Sequence, residues 1–290
     1  MKSIAIKTNN SLTIEYLKEN LSKINSKEVS LSCKDFKHFT NIIVHYKGNN
    51  TEEFIKELAT ILSFLVIYEF EEDFFIKIIN QDYFYFSKQE RDIILENCFN
   101  IIIDSNTIMK NKFKTIYTEF LNYLLNNKNL YLSGFINFKI PTYLDILKKV
   151  VEDAVNSFIL EKEYNEFISL LRLYINSENS LFDTLHIVYS KDFTLILDED
   201  KRIIDNSKEA FKAKFLSDIS FSVNDYTLNT LLTLLPKKIY VHLIDNNIDE
   251  FITTLTLIFE NRLEICTNCN ICTLYKDTEL IKNKSQYINK

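Results

Sequence analysis

Tryptophan is absent from this 290-residue chain, and glycine and proline occur only twice each, as Gly48, Gly134, Pro141 and Pro236. The glycine shortage excludes whole classes of function. A phosphate-cradling loop needs several glycines so that backbone amides can approach the anion. No P-loop, dinucleotide-binding fingerprint or kinase-type loop can be written here, and the Gly-x-Ser-x-Gly nucleophile elbow is missing too. Dense basic blocks are also missing. The 34 Lys and Arg are interleaved with 40 Asp and Glu, for a net charge of −6. That pattern reads as a solvated mixed-charge surface with no nucleic-acid partner. The most apolar stretch, Ile61 to Tyr68, lies between Glu57 and Glu69. It falls far short of the roughly 20 residues of a membrane span. Ser3-Ile4-Ala5-Ile6-Lys7 is too short and polar for a signal core. The expected location is therefore cytoplasmic, and the five unevenly placed cysteines are expected as reduced thiols.

What is present suits a folded chain. Hydrophobic residues make up 46% and aromatics 13%, enough for a core without disulfide staples. Alternation at Ile4 and Ile6 predicts a first strand, and Ser11 is placed to cap a helix to about Ile24. Val29 and Leu31, then Ile42 to Tyr46, predict two more strands. Thr51 is placed to cap a long helix whose Glu52 and Glu53 suit its positive end. The aromatic run from Phe74 to Phe86 is ambiguous. Helices follow near Lys88–Ile103 and Met109–Asn127, with a turn at Asn126 to Asn129.

The strongest helical pattern runs from Thr142 to about Ile175. Its apolar stripe contains Glu161. Either that carboxylate is buried and needs a partner from another element, or it sits at the stripe's edge and reaches water. Arg172 shares the face but lies about 16 Å along the axis, too far to pair within a straight helix. Beyond the polar break at residues 176–180, strands are expected near Leu185–Ile187, Phe193–Leu197 and Arg202–Ile204, with a turn at Asp198-Glu199-Asp200. A helix follows from Asp225 to Leu235. Lys238–Leu243, Asp249–Glu260 and Arg262–Ile265 then read as a βαβ unit whose strands are parallel.

That unit runs into the one local cluster with an evident capacity for chemistry, Cys266-Thr-Asn-Cys269-Asn-Ile-Cys272. Thiolates bind soft metals, exchange disulfides and attack electrophiles. The spacing equals the first three positions of a bacterial ferredoxin run, but Lys276 and Asp277 stand where that run needs Cys and Pro. Three readings stand: a metal site for zinc or an iron–sulfur group, a thiol-redox site, and inert thiols. A metal site needs a fourth ligand from Cys33, Cys98, His242, a substrate or a second subunit. Cys266 should be held by its strand, with the other two thiols toward the tail.

The histidines form no His-x-x-x-His or His-Glu-x-x-His pair. His242 ends the apolar strand Ile239-Tyr240-Val241-His242, where site residues of α/β folds gather. Asp225 precedes the helix before it. The two could act as an acid–base couple, or serve as a helix cap and a strand-end residue bonded to backbone.

Two blocks carry a resemblance. One is Gly134-Phe-Ile-Asn-Phe-Lys139 with Tyr143 and Glu161-Lys-Glu-Tyr-Asn-Glu-Phe-Ile-Ser-Leu-Leu171. The other is Asp225, Leu234-Leu235-Pro236-Lys237-Lys238-Ile239, His242, Phe259 and the three cysteines. Together they resemble the YtxC-like family of sporulation proteins from spore-forming Firmicutes over roughly residues 130 to 272, with Lys139 where Arg is expected. The resemblance implies a sporulation context and a cytosolic protein, and carries no activity. Within it, Glu161, Glu163, Tyr164, Glu166, Phe167 and Arg172 form a motif expected to be structural.

The expected fold class is α+β. It comprises an N-terminal α/β and helical region (1–130), a central long-helix segment (131–180), a C-terminal α/β module (181–275) and a flexible tail (276–290). With no catalytic motif in view, the expected function is non-enzymatic, through protein contacts. A metal or thiol-redox sensor on Cys266, Cys269 and Cys272 is the first alternative, and an enzyme using Asp225 and His242 the second.

Overall fold

The computed structural model describes residues 2–24, 28–191, 193–204, 222–266 and 268–276. The fold is α+β. The chain divides into two units, residues 1–161 and 162–290, and the division falls inside one long helix.

The first unit opens in the expected order, with β1 (Lys2–Thr8), α1 (Ser11–Lys23), β2 (Val29–Asp35), β3 (Thr40–Tyr46) and α2 (Thr51–Glu69). Ile4, Ile6 and Thr8 alternate with half-buried neighbours, as do Ile42, Val44 and Tyr46, so one face of the sheet packs inward. Leu17 and Leu21 of α1 and Leu58 and Leu62 of α2 join the same core. The helix caps lie one residue earlier than expected. Asn10 Oδ1 accepts from the Leu12 and Thr13 amides, and Asn50 Oδ1 from the Glu53 amide. Asn caps better than Thr, which accounts for the start of α2 at Thr51.

The ambiguous aromatic run contributes to α3 (Glu71–Asp82), which buries Phe74, Phe75, Ile78 and Ile79. Then come α4 (Lys88–Asp104), α5 (Asn106–Asn126), β4 (Asn129–Tyr131), α6 (Leu132–Phe138) and the start of α7 (Pro141–Ser177). The sheet order is β2-β3-β1-β4, with β1 antiparallel to β3 and parallel to β4. Inside this unit lies a charged network. Lys112 Nζ donates to both oxygens of Glu71 at 2.7 and 2.9 Å, and the Tyr143 hydroxyl donates to Glu71 Oε2 at 2.7 Å. Lys112 is 1% exposed.

The second unit takes up α7 and continues with β5 (Phe182–Ser190), β6 (Phe193–Leu197), α8 (Val223–Leu234), β7 (Pro236–Leu243), α9 (Glu250–Phe259), a 3-10 turn at Glu260–Arg262 and β8 (Leu263–Cys266). The expected strand at Arg202–Ile204 reduces to one isolated bridge, Leu197 to Ile203. The order is β6-β5-β7-β8, with β5–β7 and β7–β8 parallel and β6 antiparallel. The β7-α9-β8 crossover is therefore the parallel unit its spacing predicts. Leu185, Ile187, Ile239 and Val241 pack with Leu255 and Phe259 on one face.

The α7 segment of this unit contributes Ile168 and Ile175 to that core. Arg172 finds its partners on other elements, as helix geometry requires. Its Nε donates to the Leu257 carbonyl, and its guanidinium pairs with Glu260 at 3.0 Å. The Tyr164 hydroxyl bonds Thr254 Oγ1. Glu161, Glu163, Glu166 and Phe167 are exposed, so Glu161 takes the water-facing alternative. Arg262 donates to the Ile175 carbonyl at 3.1 Å, where the negative end of α7 favours a cation. Among the described residues no glycine has positive φ; Lys201, Leu235, Asn246 and Glu260 hold those positions. Residues 277–290 of the expected tail lie outside the described residues.

Candidate metal centre

The centre forms where β7 and β8 end side by side. Parallel pairing sets His242 opposite Cys266, at the carboxyl ends of two neighbouring strands. Alternation sends Ile239, Val241 and Leu243 into the main core, so Tyr240 and His242 face the other side of the sheet. After β8 the chain turns back and residues 270–276 are helical. Ile271 packs with Val188, Leu197 and Ile244 in a small second cluster. That seating brings Cys269 and Cys272 to His242. Cys272 is 1% exposed, so the thiol expected nearest the tail is the most deeply held of the three.

The distances are those of a cage. His242 Nδ1 lies 3.3 Å from Cys269 Sγ and 3.5 Å from Cys272 Sγ. Cys272 Sγ lies 3.7 Å from Cys269 Sγ and 3.9 Å from Cys266 Sγ. All four donor atoms fall within 4.8 Å of one another. A tetrahedron with Zn–S near 2.3 Å and Zn–N near 2.05 Å has S···S edges of about 3.8 Å and S···N edges of about 3.5 Å. The group of His242, Cys266, Cys269 and Cys272 can hold a metal ion.

The electrostatics suit ligation. Burial, with His186 and Lys201 adding to it, pushes His242 down to about 4, so its imidazole is neutral near pH 7. Burial opposes ionisation of Cys269, but hydrogen bonds from the Cys272 backbone and from the Cys266 and Cys272 thiols outweigh it and lower its pKa. Burial pushes Cys272 up to about 11. Cys269 and Cys272, side by side without a counter-charge, resist joint ionisation, and a divalent cation removes that resistance.

The other candidate residues take different places. Cys33 is exposed on β2, and Cys98 is buried in α4 with burial raising its thiol to about 12. Both belong to the first unit. Asp225 completes a capping box: its carboxylate accepts from the Ser222 amide and hydroxyl at 2.8 Å, outside the His242 group. His186 was not singled out by its local sequence, yet its Nδ1 lies 3.0 Å from His242 Nε2. Its signal was a histidine alternating with Leu185 and Ile187 in a buried strand. A cavity of about 410 Å³ opens beside the centre, lined by His186, Lys201, Tyr240, His242, Cys269 and Asn270 among others.

Comparison with known proteins adds kinship. The profile of the YtxC-like family matches residues 56–264, well over half of the chain. It starts within α2, earlier than the resemblance between residues 130 and 272 implied. It includes His186 and His242 and ends just before Cys266. "Uncharacterized protein YtxC" of Bacillus subtilis (strain 168) is 22% identical over 202 residues, spanning 67% of this chain and 71% of the relative. No solved structure matches. No helix among the described residues is long and apolar enough to cross a membrane. By the extent of the family match, the chain belongs to the YtxC-like family.

Proposed function

We propose that this protein binds one zinc ion through His242 Nδ1 and the thiolates of Cys266, Cys269 and Cys272. In this reading the ion is structural and holds the helical segment at 270–276 against the sheet. The supporting observation is the agreement of four donor-to-donor distances with the edges of a Cys3His tetrahedron. Four protein ligands leave no open position, which favours a structural over a catalytic ion. Convergence of three sulfurs on one point favours a single ion over an iron–sulfur cluster, whose ligands must stand around a cage of several atoms. The wider role is that of a cytoplasmic, sporulation-associated protein acting through protein contacts. The family resemblance supports the context, and the exposed Leu170 and Leu173 on α7 support the contacts. Native protein purified anaerobically without chelator is expected to carry about one zinc per chain. Elemental analysis showing no metal, with three freely titrating thiols in residues 266–272, overturns the reading.

The 3.7 Å separation of Cys269 and Cys272 supports a second reading, a thiol-redox sensor. One thiolate would attack a hydroperoxide entering by the cavity, breaking its O–O bond to give a sulfenic acid and an alcohol that takes a proton from water. The second thiolate would then attack that sulfur, forming the disulfide and, with a second proton from water, releasing water. The zinc would be released with two of its ligands gone. Zinc release measured with a chromogenic chelator, together with disulfide mapping, tests this. Peroxide treatment that frees zinc without a Cys269–Cys272 disulfide rejects it.

A further inference from the structure

We infer that His186 is the positioning residue of this metal centre, holding His242 in the one tautomer that can ligate. The inference rests on the zinc reading above and adds a residue that none of the four ligands implies.

The argument begins with strand register. β5 pairs in parallel with β7, setting His186 opposite Tyr240. Because alternation sends Leu185 and Ile187 into the core, the His186 ring joins Tyr240 and His242 on the face that carries the centre. The His186 ring stacks on Tyr240 at 5.4 Å between centroids and 20° between planes. That contact fixes the plane of the ring, and its Nδ1 edge faces His242.

Proton accounting does the rest. Two imidazole nitrogens 3.0 Å apart attract only if one proton sits between them. His242 Nδ1 faces Cys269 and Cys272 at 3.3 and 3.5 Å, and to bind a metal it must present a lone pair there. The proton of His242 therefore belongs on Nε2, from which it is donated to His186 Nδ1. His186 in turn keeps its own proton on Nε2. This is the arrangement in which an outer acceptor orients a ligand ring and raises its basicity, and its loss typically lowers metal affinity about 10–100-fold.

The test uses the full chain and zinc as the probe. His186→Phe keeps a ring against Tyr240 but has no acceptor. His186→Asn places an amide oxygen near the position of Nδ1. His186→Phe is expected to bind one zinc about 10–100-fold more weakly in chelator competition, with His186→Asn staying near wild type. Nitrogen-15 shifts of the wild-type His242 ring are expected to show the proton on Nε2 before zinc is added. A purely packing role predicts the reverse ranking, with Phe tolerated and Asn not. Three results overturn the inference alone: unchanged affinity in His186→Phe, equal loss in both variants, or a proton on His242 Nδ1. Wild-type protein that binds no zinc overturns the metal centre and the inference with it.

Discussion

Replacing Cys272 with Ser is expected to lower zinc affinity by about 10²–10³-fold and to release the 268–276 segment from the sheet. The first figure follows from dividing the ~10–16 kcal/mol of a structural zinc site over four ligands, about 2.5–4 kcal/mol each. Cys272 is the residue to test because it lies at the middle of the cage, within 3.9 Å of His242 Nδ1 and both other sulfurs. The second expectation comes from setting the segment's apolar packing and its Lys276–Asn246 hydrogen bond against the cost of ordering it. Its apolar anchors are Ile271, packed with Val188, Leu197 and Ile244, and the partly buried Tyr275 beside them. Burying one such side chain contributes about 1.5–3 kcal/mol. Ordering a backbone costs roughly 1–2 kcal/mol for each residue. Apolar packing alone therefore does not cover the ordering of residues 268–276, whereas the proposed zinc would supply the missing tether. Amide hydrogen exchange in this stretch should quicken in Cys272→Ser, and chelator treatment of the wild type should give the same pattern. β7 and α9, buried through Ile239, Val241 and Leu255, should keep their protection. Full protection of 268–276 in the chelated wild type would show that packing suffices and the ion is not structural.

Elements with several apolar residues in phase are legible in the sequence. Ile4 and Ile6, Ile42 to Tyr46, the stripe of α7 and the β7-α9-β8 crossover all fall where periodicity puts them. β4 did not show itself, because a three-residue strand with one buried side chain, Leu130, has no period to read. The candidate metal centre was half legible. The cysteines announce themselves, and His242 was one of several possible fourth ligands. What selects it is register. Once β7 and β8 are read as parallel neighbours, the residue ending one strand stands beside the residue ending the next. The charged residues were the harder part. Glu161 interrupts an apolar stripe and yet is exposed, whereas the buried carboxylate among the described residues is Glu71, in the first turn of α3. Its partner did leave a mark. Lys112, Ile116, Phe120 and Leu124 recur every fourth residue on α5 and are all buried, so a lysine sits in line with a core stripe. A lysine in that position needs an anion, and only the tertiary fold says which.

Glu71→Ala is accordingly expected to cost about 3–5 kcal/mol, the range for removing one partner of a buried ion pair. The variant leaves the Lys112 ammonium, 1% exposed, with no carboxylate, and removes the acceptor of the Tyr143 hydroxyl. Lys112→Met is expected to fall in the same range, because Glu71 then keeps only the Tyr143 hydroxyl in a buried site. The two costs should not add. In Glu71→Leu/Lys112→Met both charges are gone and apolar volume replaces them, a change that is often close to neutral. What remains is the unpaired Tyr143 hydroxyl, costing about 1–3 kcal/mol, and adding Tyr143→Phe should recover much of that. The double variant should thus be more stable than either single one. Exchange protection of the α3 and α5 amides in the full chain, followed across a urea series, reads this out in the first unit without requiring one global transition. Additive losses would mean that Glu71 and Lys112 act independently through packing, and that their 2.7 Å contact contributes nothing specific. A favourable coupling would instead show what the pair does for the fold. Each charge is tolerated in the core only because the other is there, so the pair fixes how α3 and α5 meet, with Tyr143 of α7 locking the shared oxygen.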